Sequence, residues 1–328
     1  MTEVFHGGDL RAAANSFGEQ ADDWLDLSTG INPHPWPVPE SMLEALHLLP
    51  DSDRMDNLKL AAAAAYGVND PACIACGPGS QALIQWLPRL RDVCRVAVVA
   101  PTYGEHTPAW KAAGHDVFET EFLPEPADCD VAVVTRPNNP DGATPAIADV
   151  TSLAKLLSEK GGGVVVDEAF ADLDTAPSIA AGTSAGIVAL RSFGKFYGLP
   201  GLRLGFVVAG PDMVARTAAA LGPWPVSSLA ADIGAAALMD FDWQTKTRDR
   251  LEESALRLDN ILMGAGLDIL GGTNLFRLVT SGKAQTMHEK LGRAGIYTRR
   301  FLENPSWLRF GLPGKTVDWV RLEKALYS

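Results

Sequence analysis

Arg191-Ser192-Phe193-Gly194-Lys195-Phe196-Tyr197-Gly198-Leu199-Pro200-Gly201-Leu202-Arg203-Leu204-Gly205 is the stretch on which the reading of this chain turns. A lone lysine among small, hydroxylated and glycine residues suits covalent imine chemistry. An amine attacks a carbonyl only when neutral, so it must be partly desolvated or electrostatically tuned. Ser192 stands three residues before Lys195 and Arg203 eight after it. A hydroxyl and a guanidinium so placed can hold a phosphate beside the lysine. The plainer alternative is a basic helix start with a solvated lysine, and the agreement of three chemically distinct positions weighs against it.

Outward from this stretch, residues 93–99, 131–135, 163–166, 186–190 and 205–208 read as apolar strands. Residues 80–87, 106–113 and 147–159 read as helices between them. Apolar strands separated by helices imply a parallel sheet covered on both faces. Ligands of such sheets bind beyond the carboxyl ends of the strands. Residues 77–81, Tyr103, Asn139, Asp167 and Ser192 all lie just past expected strand ends. A short helix over 42–48 and an alanine-rich helix over 58–66 precede the alternation. After Pro211 the character changes: a helix over 213–221, a break at Gly222-Pro223-Trp224-Pro225, and a helix-rich stretch over 228–265. A strand over 274–279, a helix over 284–294 and a strand over 307–310 follow. The expected division is an N-terminal arm (1–35) joining the small domain, a large domain (36–215) and a small α+β C-terminal domain (216–328).

Composition bounds the function. Hydrophobic residues make up 47% and charged residues 21% of the 328, the balance of a soluble globular protein. No apolar run reaches the length of a membrane span, and the N-terminus lacks a basic region followed by an apolar one, so the expectation is cytoplasmic. A net charge of −12 argues against a nucleic-acid partner. It leaves room for an anionic small molecule held by arginines focused in a cleft. Cys73 and Cys76 form a C-x-x-C, but with no second pair and no histidine cluster, no metal is expected. Their segment reads as a strand end, where buried thiols serve as small hydrophobes.

The lysine with its serine and arginine resembles the Schiff-base segment of fold-type I pyridoxal-phosphate enzymes. The remaining motifs follow the order of the class I and II aminotransferases from about residue 25 to 314. The resemblance implies an α/β fold with a mostly parallel central sheet covered by helices and a smaller α+β C-terminal domain. It implies pyridoxal 5′-phosphate as cofactor, with Lys195 as the imine lysine. Asp167, ending Gly163-Val164-Val165-Val166-Asp167-Glu168, becomes the partner of the pyridinium nitrogen; its alternative is a helix cap. Gly79, Ser80, Gln81, Ser192 and Arg203 become the phosphate cup. Tyr103 in Pro101-Thr102-Tyr103-Gly104 stacks on the ring, and Asn139 in Pro137-Asn138-Asn139-Pro140-Asp141-Gly142 donates to its 3′-oxygen. Lys195, Asp167 and Tyr103 are thus the catalytic candidates. Phe170 stands where the family often has a tyrosine. Leu49 stands near where a tyrosine is often sent from a neighbouring subunit. A homodimer is implied by the resemblance alone.

His6-Gly7-Gly8-Asp9 and Leu27-Ser28-Thr29-Gly30-Ile31-Asn32-Pro33 resemble one branch, the threonine-phosphate decarboxylases of cobalamin biosynthesis, although that branch often has asparagine where Asp9 stands. His6, Asn32, Arg299 and Arg309 are its substrate-binding candidates, taking a small phosphorylated amino acid. The implied reaction is decarboxylation of L-threonine O-3-phosphate to (R)-1-amino-2-propanol O-2-phosphate. Two alternatives stay open: a histidinol-phosphate aminotransferase-like transaminase, and a non-catalytic cobalamin-pathway module retaining the fold. A nicotinamide oxidoreductase fails for lack of a G-x-G-x-x-G at the first strand–helix turn.

Overall fold

A computed structural model describes residues 7–18, 24–175, 178–182 and 185–328. The chain packs as two units: Met1–His34 with Pro140–Gly142 and Thr245–Ser328, and Pro35–Asn139 with Ala143–Gln244. His6 lies outside the described residues. The N-terminal segment contributes helix α1 (Leu10–Phe17), opened by Asp9 accepting from the Ala12 amide, and strand β1 (Leu25–Leu27).

The larger unit begins with a 3₁₀ turn, Glu40–His47, where an ordinary helix was expected. Helix α2 (Ser52–Tyr66) is capped by Asp51 and ends at Gly67 in the left-handed conformation. Then come β2 (Ile74–Gly77), α3 (Ser80–Trp86), β3 (Arg95–Val99), α4 (His106–Ala112), β4 (Asp116–Thr120) and β5 (Val131–Thr135). Helix α5 (Ile147–Ser158), β6 (Gly163–Asp167), β7 (Ile187–Ser192), β8 (Gly205–Val208), α6 (Pro211–Leu221) and α7 (Ser228–Met239) complete it. The sheet order is β2-β8-β7-β6-β5-β3-β4, with β8 alone antiparallel to its neighbours. Strands β5 and β6 are buried at every position, which explains their unbroken valine runs. Leu83, Ile84, Val96, Val98, Trp110, Val131 and Val133 belong to the core against this sheet. Thr135, Asp167 and Ser192 are the last residues of three adjacent strands, β5, β6 and β7.

Helix α8 (Phe241–Gly264) leads into β9 (Asp268–Thr273), β10 (Phe276–Thr280), α9 (Ala284–Arg293), β11 (Ile296–Arg300), β12 (Trp307–Gly311) and α10 (Thr316–Tyr327). The smaller unit's sheet runs β1-β11-β12-β10-β9. Its first pair is parallel and the rest antiparallel. Phe17 of α1 lies so close over Gly292 that a Cβ there would come within 2.5 Å of the ring.

The packing units divide at 244/245, whereas the sequence suggests a boundary at 215/216. Helices α6 and α7 pack on the larger unit: the Ser228 hydroxyl donates to the Leu48 carbonyl at 2.8 Å, and Gly234 abuts Leu58 and Leu204. The expected 228–265 stretch is broken at Asp240, whose carboxylate accepts from the Trp243 amide and the Trp36 indole, both at 3.0 Å. Residues Pro140–Gly142 belong with the smaller unit because glycines meet there. A Cβ on Gly142 would sit 1.9 Å from the Gly272 carbonyl oxygen. The cysteines are free thiols, and burial pushes Cys76 up to about 12. No helix among the described residues is long and apolar enough to cross a membrane.

Candidate active site

Three buried rings build the lysine turn. Phe193, Phe196 and Tyr197 are at most 1% exposed. Phe193 stacks on Tyr197 at 4.3 Å, and Tyr197 stacks on Trp243 at 5.8 Å. With its neighbours in the turn anchored in this way, half-buried Lys195 reaches a cavity of about 130 Å³. Its ammonium nitrogen lies 5.8 Å from the centre of the Phe170 ring. Gly79, Ser80, Gln81, Tyr103, Asn139, Asp167, Ser192 and Arg203 line the same cavity. All nine cofactor candidates of the larger unit are therefore gathered.

Asp167 is 3% exposed. One carboxylate oxygen accepts from the Ala169 amide at 3.0 Å, and the other lies 2.9 Å from His106 Nε2. A buried carboxylate with these two partners is held in one orientation. Sequence reasoning missed His106. Its signal was its place on α4, on the same buried face as Ala109 and Trp110, three and four residues on. The Tyr103 hydroxyl donates to Gln81 Oε1 at 2.9 Å, and its ring meets the His106 imidazole edge-on at 6.0 Å. The Gln81 amide donates in turn to Glu105 at 2.9 Å, so this side chain orients the tyrosine.

The other wall is strained. Gly79 has φ 83° and ψ 159°, a region open only to glycine, and it caps α3 with no side-chain bond. Arg203 is itself left-handed at φ 54°. Its Nη1 donates to the Pro200 carbonyl at 3.0 Å. A Cβ on Gly79 would lie 2.6 Å from Arg203 Nη2. Among the described residues no group of histidine, cysteine and carboxylate side chains could hold a metal ion.

In the smaller unit Arg299 and Arg309 face each other across the β11–β12 pair. Arg309 is 6% exposed, donates to the Ser28 carbonyl at 2.9 Å and lies over the Phe276 ring at 4.8 Å. Burial, and then Arg299 beside it, pushes its guanidinium down to about 9, so it is still a cation at neutral pH. A buried cation beside a second one favours an anionic ligand. Asn32 is buried, and its side chain accepts from the His34 amide at 2.9 Å.

Residues 22–321 match the family described as aminotransferase class I and II. The threonine-phosphate decarboxylase of Pseudomonas aeruginosa is 41% identical over 325 residues, covering 98% of this chain and 96% of that protein. A threonine-phosphate decarboxylase from a Sinorhizobium species is 43% identical, with 98% and 97% covered. The solved structure of histidinol-phosphate aminotransferase from Sinorhizobium meliloti in complex with pyridoxal-5′-phosphate superposes with a TM-score of 0.81. It is 21% identical, with 99% of this chain and 94% of that one covered, a likeness of fold alone.

Proposed function

The chain belongs to the aminotransferase class I and II family, and from that premise we propose that it is a pyridoxal-phosphate enzyme that decarboxylates L-threonine O-3-phosphate to (R)-1-amino-2-propanol O-2-phosphate in cobalamin biosynthesis. The observation that carries this reading is the pair of near-full-length relatives bearing the threonine-phosphate decarboxylase name.

The residues of the larger unit suit the cofactor. A buried carboxylate, a lysine, a serine and an arginine converge on one cavity, and the glycine opposite the arginine leaves no room for a side chain. Bound pyridoxal phosphate supplies the electron sink for cleavage of a bond at the substrate Cα. Lys195 supplies the amine that carries the cofactor. Asp167, steadied by His106 and the Ala169 amide, would hold a proton on the ring nitrogen. Tyr103, fixed by Gln81, and Asn139 would help hold the ring. Ser80, Ser192 and Arg203 would bind the phosphate, with Gly79 giving them space and the Gln81 backbone amide adding a donor. Arg309 and Arg299 hold the anionic groups of the substrate, assisted by Asn32 and His6. How these residues orient the substrate would decide which bond at Cα is cleaved. With carbon dioxide as the leaving group, the bonding pair would pass to that electron sink, and Lys195, once the substrate amine has taken its place on the cofactor, would deliver the replacing proton to Cα.

The enzyme acts in the cytoplasm as a homodimer on this reading. Leu43, Leu46, Leu48 and Leu49 are between 47% and 65% exposed within one short stretch, an apolar face suited to a second copy. The test is product analysis. Purified protein with pyridoxal phosphate should release carbon dioxide and a phosphorylated amino alcohol from L-threonine O-3-phosphate. Glutamate-dependent amino transfer with histidinol phosphate, without gas release from threonine phosphate, would overturn the assignment in favour of the transaminase.

A further inference from the structure

Behind the cofactor candidates lies a cluster of buried charge that the mechanism does not use. Glu168 is 0%, Arg191 3% and Asp172 7% exposed. Arg191 Nη1 donates to Glu168 at 3.1 Å and Nη2 donates to Asp172. Glu168 also accepts from the Ser178 hydroxyl and from the Ile179 amide at 3.0 Å, and Arg136 stands 3.7 Å from it. The Arg191 guanidinium lies over the Tyr66 ring at 4.4 Å. Burial disfavours its charge, but Asp172 and Glu168 outweigh burial and raise its pKa.

Such clusters seldom stabilise more than apolar residues of the same volume would, because desolvation offsets the attraction. What they add is direction. Glu168 directly follows Asp167, and Arg191 directly precedes Ser192 and stands four before Lys195. The Glu168 amide donates to the Leu190 carbonyl at 2.9 Å, so the ion pair closes the end of the β6–β7 ladder. One strand end presents the ring-nitrogen carboxylate and the other presents the phosphate hydroxyl and the lysine. We propose that Arg191, clamped by Glu168 and Asp172, is a positioning residue that fixes the spacing between Asp167 and the Ser192–Lys195 turn. This rests on the cofactor reading above.

Removing one charge and removing all three separate positioning from folding. Arg191→Met takes the Arg191 cation from both buried carboxylates, leaving Glu168 with Arg136 at 3.7 Å, and should lower the melting temperature of the holoenzyme. The triple variant Glu168→Gln/Asp172→Asn/Arg191→Met removes both carboxylates together with their shared cation, leaves Arg136 its bond to the Pro145 carbonyl, and should regain much of that loss. If the cluster positions the pocket, the triple variant still binds pyridoxal phosphate roughly tenfold more weakly. The pH midpoint of its bound-cofactor absorbance should also move. Should Arg191→Met not fold, Arg191→Lys serves in its place: it keeps the charge, loses the fork, and should weaken cofactor binding to an intermediate degree. A triple variant with wild-type cofactor affinity and wild-type absorbance midpoint would overturn the proposal. Wild-type protein that takes up no pyridoxal phosphate would instead overturn the cofactor reading, and this inference with it.

Discussion

Gly79→Ala should injure this protein in two separable ways. The new methyl would lie 2.6 Å from Arg203 Nη2 and 3.0 Å from its Cζ, far inside van der Waals contact. A guanidinium can swing away, so the clash is relieved by moving Arg203 out of the cavity wall. The backbone cannot relax so cheaply, because φ 83° with ψ 159° is closed to alanine. That strain costs about 1–3 kcal/mol of folding stability. If Arg203 holds the cofactor phosphate as proposed above, the displaced arginine should forfeit a charge-assisted bond of about 1.5–3 kcal/mol. At about 1.4 kcal/mol per decade, that is a roughly 10- to 100-fold loss of cofactor affinity. Absorbance titration with pyridoxal phosphate reads the second effect and thermal unfolding of the cofactor-free protein reads the first. Gly201→Ala is the control, since nothing lies within 4 Å of a Cβ there and its backbone is unstrained. Its affinity should match wild type, with stability equal or higher by up to about 1 kcal/mol. Gly79→Ala binding within twofold of wild type would refute the packing argument.

Four further outcomes follow from the structure. His106→Leu removes the partner of a buried carboxylate and should lower kcat by about tenfold or more, with KM for threonine phosphate little changed; steady-state kinetics decide it. Arg309→Lys keeps charge but loses the fork and should raise that KM by about tenfold or more, leaving cofactor affinity unchanged. Burial, with Arg300 nearby, pushes His288 down from 6.5 to about 4, so the folded protein holds it neutral. Unfolded chains take up the proton first, so stability is lost as pH falls from 6.5 to 4, by about 3 kcal/mol at most. Unfolding midpoints across that window should slope in wild type and flatten in His288→Gln; equal slopes would refute this. On the homodimer reading, wild type should be dimeric by light scattering and Leu46→Glu with Leu49→Glu should yield monomers; a monomeric wild type would refute that reading.

Much of the larger unit was legible because its parallel strands are buried on both faces and spell runs such as Val131 to Val134. Their ends then placed Asp167 and Ser192. Strand β4 was not legible: it is an edge with exposed Asp116 and Glu119 and a single neighbour. Strand β9 hides behind Gly271-Gly272, which blur alternation, and β11 ends on two arginines. The sequence suggests a division ahead of the one between packing units because proline and glycine between α6 and α7 punctuate the chain without ending a packing unit. Arg191, Glu168 and Asp172 look like solvated charge in one dimension; only the fold shows that they pair in the interior.

The smallest strand has a consequence for how the protein is made. Leu25 pairs with Ile296, so β1 emerges from the ribosome long before its partner exists. Until translation nears its end, Leu25 and Leu27, buried in the finished molecule, wait as an unsatisfied sticky segment. A message cut short anywhere before β11 releases a polypeptide with that segment bare. Such fragments should aggregate or engage chaperones even when the entire larger unit has been translated.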